Sequence, residues 1–201
     1  MGAVVLAAGR SSRMGTPKQL LPLGSATVLE RTLGNVRSSA LNEIVLVLGA
    51  SADSICRQLP QTLLEDIRVV VNDTYEEGMA SSLRTGLSAV SPQTDAVLVV
   101  LADQPFVQPH TFDRIADEYR RGKAQIVIPT YQGRRGNPVL LNRSLFPEAM
   151  ALEGDVGCRA IFGNYSQEIV RVEVPDPGIL LDLDSKDDYE RLQSFGESGK
   201  S

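Results

Sequence analysis

Six short apolar runs, at residues 3–7, 44–48, 67–71, 96–101, 125–128 and 169–174, punctuate a chain of 201 residues. They are rich in Val, Ile and Leu, and most of them lack polar alternation. A run that is apolar on both faces suits a strand covered on both sides, as in a parallel sheet. Between the runs lie stretches of helical period at 27–37, 52–59, 79–90, 111–121 and 186–193. This alternation predicts an α/β fold: a single-domain, Rossmann-like three-layer arrangement with a mostly parallel central sheet, helices on both faces and right-handed crossovers. One segment breaks the rhythm. TYQGRRGNPVLLN, residues 130–142, sets Gly133, Gly136 and Pro138 between two apolar runs and predicts a small β arm or hairpin. The length fits one domain over residues 1–195, and GESGKS at 196–201 predicts a disordered tail.

Charge and cysteine usage exclude several classes. With 25 acidic and 20 basic residues the net charge is −5, which argues against a general nucleic-acid binder and means that positive charge must be placed locally. The two cysteines, Cys56 and Cys158, lack the paired spacing of a zinc site and predict a reduced, cytoplasmic protein without a disulfide framework. No basic leader precedes the first apolar run, and no run nears the about 18 residues that would span a bilayer, so the expectation is a soluble, unsecreted chain.

In open parallel sheets ligands bind outside the carboxyl ends of the strands, so the polar residues behind each apolar run carry the functional reading. The first run leads into LAAGRSSRMGTPK. Its glycines, Gly9 and Gly15, let backbone amides approach an anion, Ser11 and Ser12 can donate, and Arg13 and Lys18 can neutralise phosphate oxygens. A surface loop with solvated charges would carry the same residues. Two familiar phosphate loops are excluded. A dinucleotide fingerprint needs G-x-G-x-x-G and an acid after the second strand, whereas here the second run ends in Leu48, Gly49 and Ala50. A Walker A loop needs Lys directly after its last glycine, whereas Thr16 and Pro17 intervene and Gln19 follows Lys18.

Behind the fourth run, ADQPF places Asp103 where a carboxylate can hold magnesium together with substrate phosphates, although D-x-P also suits a turn. Behind the third run, Asn72 precedes TYEEGMASSLRTGL, in which Gly78 and Ser82 at a helix start can contact a nucleotide or can serve only close packing. His110, the only histidine, reads as a surface residue and Cys158 as incidental.

The loop resembles the signature L-A-A-G-x-S-x-R-M-G-x-x-K-x-L-L-P of the molybdenum cofactor cytidylyltransferase family, nucleotidyltransferases of the Rossmann-like glycosyltransferase-A type. Every fixed position is present from Leu6 to Pro22. The resemblance extends to about Leu192. It implies that Leu6, Ala7, Ala8, Gly9, Ser11, Ser12 and Gly15 wrap the triphosphate, that Arg13 and Lys18 bind its phosphates, and that Asn72, Gly78 and Ser82 lie near the nucleotide. It implies Asp103 as a metal ligand. LLDLDSKDDYERL is similar to the family's D-x-D-T-x-x-D-Y element, with Ser185 for threonine, and points to Asp184 as the second ligand, Asp182 being the alternative. Asp184 or Ser185 would equally cap the last helix.

RRGNPVLL and GDVG match elements that face the second substrate in that family, which makes Gly136, Asn137, Pro138, Gly154, Asp155 and Gly157 its implied contacts; both stretches also suit plain turns. The implied reaction is in-line attack of a molybdopterin phosphate on CTP with Mg2+, giving molybdopterin cytosine dinucleotide and pyrophosphate. The implied recipient is a molybdenum hydroxylase or its chaperone. Ala8 leans toward CTP, since the guanine branch usually carries L-A-G-G, but sugar-phosphate nucleotidyltransferases share L-A-A-G. Other readings stay open: GTP as donor, a sugar or alcohol phosphate as acceptor, a non-catalytic molybdenum-cofactor binding protein and, least supported, a nicotinamide oxidoreductase.

Overall fold

The apolar runs become the strands of one twisted sheet, and the periodic stretches become helices that cover it on both faces. The structure is a computed structural model in which residues 1–9, 17–122 and 124–198 are described, with side chains as far as residue 193. In chain order the elements are β1 (Gly2–Ala7), a small hairpin of β2 (Pro22–Leu23) and β3 (Ala26–Thr27), α1 (Val28–Arg37), β4 (Glu43–Leu48), α2 (Ala52–Gln58), α3 (Gln61–Leu64), β5 (Ile67–Val71) and α4 (Met79–Ala89). Then follow β6 (Ala96–Leu101), α5 (Pro109–Arg120), β7 (Ile126–Tyr131), β8 (Arg134–Arg135), β9 (Val139–Asn142), α6 (Phe146–Met150), β10 (Ile169–Glu173) and α7 (Lys186–Ser198).

Strand order is β10-β7-β9-β6-β1-β4-β5. All neighbours in it are parallel except β9, which runs antiparallel to both β6 and β7. The arm expected at 130–142 is therefore mostly sheet. Val139, Leu140 and Leu141 are each buried, so this run is covered on both faces and inserts at the sheet's centre, while only β8 remains as a short partner of β7. Strand β7 accordingly continues to Tyr131, three residues past the apolar run that announced it.

Side-chain alternation splits the core into two layers. Ala3, Val5 and Ala7 of β1 face α1, α2 and α5 through Leu29, Ile55 and Phe112, whereas Val4 faces α4 and α6 through Leu83 and Phe146. Helix α1 begins with a capping box: Thr27 accepts from the Glu30 amide at 3.2 Å and Glu30 accepts from the Thr27 amide at 2.5 Å. A third apolar group, Leu23, Val28, Phe106, Leu183 and Leu192, fastens the hairpin and α7 over the sheet's carboxyl edge. There the Leu183 amide donates to the Asp103 carbonyl at 3.1 Å, which sets the 182–184 segment beside the end of β6. The last helix extends to Ser198, and residues 199–201 lie outside the described residues. No helix among the described residues is long and apolar enough to cross a membrane.

Helix α4 lies close on the sheet because Gly86 carries no side chain: a Cβ there would stand 2.3 Å from Val4 Cγ1 and 2.9 Å from Val47 Cγ2. Gly86→Ala gains up to about 1 kcal/mol of helix propensity but overpacks a rigid interface at a cost of about 1–3 kcal/mol. A net loss is expected, seen as a lower urea midpoint; a midpoint equal to or above wild type would show that α4 can shift freely.

Candidate active site

Strands β1, β4, β5 and β6 all end on the same edge, and residues that follow β1, β5 and β6 line a cleft of about 630 Å3. Ala8 and Gly9 come from the end of β1, Ala102 and Asp103 from the end of β6, Gly78 and Ser82 from the start of α4, and Lys18 from the turn Lys18–Leu20. Leu6 and Ala7 also line it. Ser11, Ser12, Arg13 and Gly15 lie outside the described residues.

Lys18 is the centre of this cleft's charge. Its Nζ donates to Asp103 Oδ2 at 2.6 Å, to the Leu183 carbonyl at 2.9 Å and to Asp184 Oδ1 at 3.2 Å. The Lys18 and Asp103 side chains are 21% and 19% exposed, so their contact is largely desolvated, while Asp184 is 60% exposed. Burial works against the ammonium charge, but Asp103 and then Asp184 outweigh it and hold Lys18 above the ordinary lysine range. Next to it, Gln19 is buried and donates to the Ala7 carbonyl at 3.0 Å, which ties the returning chain to the end of β1.

Two carboxylates sharing one ammonium are also the donor set a hard divalent cation uses, since such ions bind through one or two carboxylates and complete their shell with phosphates and water. Asp103 fits this: its Oδ1 is buried and accepts no hydrogen bond among the described residues, an arrangement that native proteins generally avoid. No group of three or more His, Cys, Asp or Glu placed to hold a metal ion occurs among the described residues, so oxygens from a substrate would have to complete the coordination. Asp182 lines a neighbouring cleft instead. Partial burial, followed by the charges of Asp184, Asp103 and Asp188, holds it above the ordinary aspartate range.

The helix start contributes in an unexpected way. Asn72 is buried and fully used inside the fold: it donates to Ser81 Oγ at 2.8 Å and Ser82 Oγ at 3.0 Å and accepts from the Thr74 amide and hydroxyl. It thus sits behind the cleft and orients Ser82, which lines it. Gly78 has φ of 102°, and a Cβ there would stand 2.5 Å from the Gly154 carbonyl carbon. That approach lets the turn cap α4: the Met79 amide donates to Asp155 Oδ1 at 3.3 Å and the Ala80 amide to the Gly154 carbonyl at 3.2 Å. Asp155 consequently lines the same cleft as Lys18.

A second cleft of about 410 Å3 adjoins the first, and Leu6, Met79 and Leu101 line both. Gly136, Asn137 and Gly157 line it, whereas Pro138 is buried outside both linings. Arg134, Arg135 and Arg159 line it too, and sequence reasoning passed over them. Two stand directly before the Gly-Asn-Pro turn, which was a usable signal; Arg159 had none. His110 is exposed on α5, and burial raises the Cys158 thiol to about 12, so neither offers a base or nucleophile.

Residues 3–169 match the MobA-like NTP transferase domain. The chain is 31% identical over 198 residues, 94% of each chain, to nicotine blue oxidoreductase from Paenarthrobacter nicotinovorans. It is 26% identical, over 92% of each chain, to molybdenum cofactor cytidylyltransferase from Escherichia coli strain K12. Among solved structures, Rv0371c from Mycobacterium tuberculosis H37Rv superposes with a TM-score of 0.81 at 35% identity, covering 96% of this chain and 98% of that one. A further structure of that protein is a complex with manganese, with a TM-score of 0.77 at 32% identity and coverage of 96% and 97%.

The ion pair generates a stability prediction. Lys18→Met leaves Asp103 largely buried without its cation and is expected to cost about 1–3 kcal/mol at pH 7. Because the folded lysine value lies above 10.5, the contribution of the charge is complete below that pH and is lost as pH rises through the folded value. Urea titrations of both proteins should therefore converge above about pH 10.5; equal stability at pH 7 would contradict the pairing.

Proposed function

Because the chain belongs to the MobA-like NTP transferase domain family, we propose that this nucleotidyltransferase joins CMP from CTP to the terminal phosphate of molybdopterin, giving molybdopterin cytosine dinucleotide and pyrophosphate. The observation that carries the reading is the convergence of Lys18 and Asp103, which line one of two adjoining clefts, with Asp184. One cleft takes the nucleotide and the other the acceptor. The L-A-A-G start of the loop supports CTP over GTP.

An acceptor phosphate oxygen attacks the α-phosphorus in line, the bond to the bridging oxygen breaks, and pyrophosphate leaves. A phosphate dianion at neutral pH is already a competent nucleophile, so no general base is required, in keeping with a cleft lined without histidine. Lys18, with Arg13 from the loop before it, balances the charge that develops on the leaving phosphates. Gly9 and Ser82 border the triphosphate, and Ser82, accepting from Asn72, keeps its hydroxyl proton to donate. Gly136, Asn137 and Gly157 border the acceptor. A divalent cation, magnesium in this reading, would supply further charge neutralisation, and Asp103 and Asp184 are the residues that would hold it. The product would pass to a molybdenum hydroxylase, directly or through a chaperone, in the cytoplasm.

A second reading is favoured by one relative, the nicotine blue oxidoreductase. It requires a nicotinamide or similar redox partner, and the end of β4 supplies Gly49 and Ala50 where a dinucleotide fold places an acid for the ribose.

Pyrophosphate release with molybdopterin and Mg2+, run separately with CTP, GTP, ATP and UTP, tests the proposal. CTP should dominate. Asp103→Asn should keep the far-ultraviolet circular dichroism spectrum and lose about 10²–10³-fold in turnover. Near-normal release by the folded variant would remove Asp103 from the chemistry, and hydride transfer without pyrophosphate release would favour the oxidoreductase.

A further inference from the structure

Among the described residues, Asp176 is the only acidic or basic residue in the buried core, and the reaction derived above does not use it. It stands directly before the turn Pro177–Leu180, is 3% exposed and makes no salt bridge among the described residues. Hydrogen bonds alone hold it. Oδ1 accepts from the Gly178 amide at 2.9 Å, and Oδ2 accepts from the Gln108 amide at 2.9 Å and the Thr111 hydroxyl at 2.6 Å. A buried carboxylate without a cation is costly, and donors at a helix start, here that of α5, are suited to offset it.

These bonds fasten one segment of the chain across another. Residues 176–184 cross residues 103–108, and the two are joined at both ends: Asp176 to the Gln108 amide at one, the Leu183 amide to the Asp103 carbonyl at 3.1 Å at the other. Between the ends, Gly178 lies so close that a Cβ would stand 2.2 Å from the Phe106 carbonyl oxygen, and the Ile179 carbonyl accepts from the Asn137 amide at 3.1 Å. Residues 181–184, which include Asp182 and Asp184, belong to no strand or helix. Neither a sheet ladder nor a helix therefore sets their place; the anchors on either side do. Lys18 meets the far end of the same segment through the Leu183 carbonyl and Asp184.

We propose that Asp176 is a positioning residue: by tying the start of the 176–184 segment to the start of α5, it sets where Asp182 and Asp184 stand relative to Asp103 and Lys18. That this placement serves metal binding rests on the transferase reading above; the placement itself does not.

Two measurements on the full chain test it, neither of them turnover. The first is a double-mutant cycle on stability with Asp176→Asn and Lys18→Met, read from urea titrations at pH 7. Asparagine keeps the size but turns an N–H2 group toward donors, so the anchor fails. Asp176 has no direct bond to Lys18, and a purely structural role predicts losses that add. The proposal expects the double variant to lose clearly less than the sum, because a displaced segment has already given up the Lys18 contacts. The second is Mn2+ binding without nucleotide, followed by electron paramagnetic resonance. Asp176→Asn should weaken it about tenfold or more, as loss of a group that orients metal ligands does. Thr111→Val removes one donor to Asp176 and should shift the affinity in the same direction, whereas Thr111→Ser restores the hydroxyl and should stay near wild type. Ile67→Val, in the core beneath β5, should lower the urea midpoint without moving the affinity. Thr111→Val keeps the test open if Asp176→Asn does not fold. An additive cycle, or Mn2+ affinity equal to wild type in both Asp176→Asn and Thr111→Val, would overturn the proposal. If wild type holds no Mn2+ while the cycle is non-additive, the metal reading fails and the positioning role stands.

Discussion

A single desolvated charge contact, Lys18 with Asp103, joins parts of the chain that lie far apart in the sequence. The partners are 85 residues apart, and the same ammonium reaches the Leu183 carbonyl 165 residues away. An ammonium pays a large hydration penalty on burial, and a carboxylate, a carbonyl and a second carboxylate that converge on it help to offset that penalty. That convergence fixes where the chain returns after the loop behind β1, and Gln19 reinforces it through the Ala7 carbonyl. It also brings the 182–184 segment against the end of β6, where the Leu183 amide meets the Asp103 carbonyl. The sheet supplies the edge, and this contact turns the edge into a site.

A second link joins the two clefts. The start of α4 borders the larger cleft, and its first amides are capped by Gly154 and Asp155 from the turn that leads to Gly157 in the smaller one. Positive φ at Gly78 and the absence of its side chain allow the approach. Helix-end amides left bare in a cleft would bind any anion; occupied by Asp155, they instead couple the position of the 154–157 turn to that of α4. Met79, which lines both clefts, sits at this joint.

Much of this was legible in the sequence, and for identifiable reasons. Runs such as 96–101, apolar throughout, can only be strands covered on both faces, and the polar residues behind them had to fall on the binding edge. Asp103 and Lys18 both fall there in the structure. The placement of β9 was not legible, because a four-residue apolar run between turns fits an arm as well as a central antiparallel strand; only the sheet's need to cover Leu140 and Leu141 decides it. The resemblance implies Asn72 near the nucleotide, and in the structure four hydrogen bonds within the fold occupy its side-chain amide. Asp155 read as an acceptor contact, and its role as a cap of α4 depends on a contact across 76 residues that no local pattern encodes. Arg159 reaches the smaller cleft without any local signal, whereas Arg134 and Arg135 were marked by the turn that follows them.

The most direct measurement of the central claim is anomalous diffraction from crystals grown with Mn2+ and a non-hydrolysable CTP analogue. The account predicts a metal peak bonded to the Asp103 carboxylate with Asp184 beside it, and Lys18 Nζ within hydrogen-bond distance of a phosphate oxygen. Metal and triphosphate bound elsewhere, with Lys18 still bridging Asp103 and Asp184 unchanged, would contradict it.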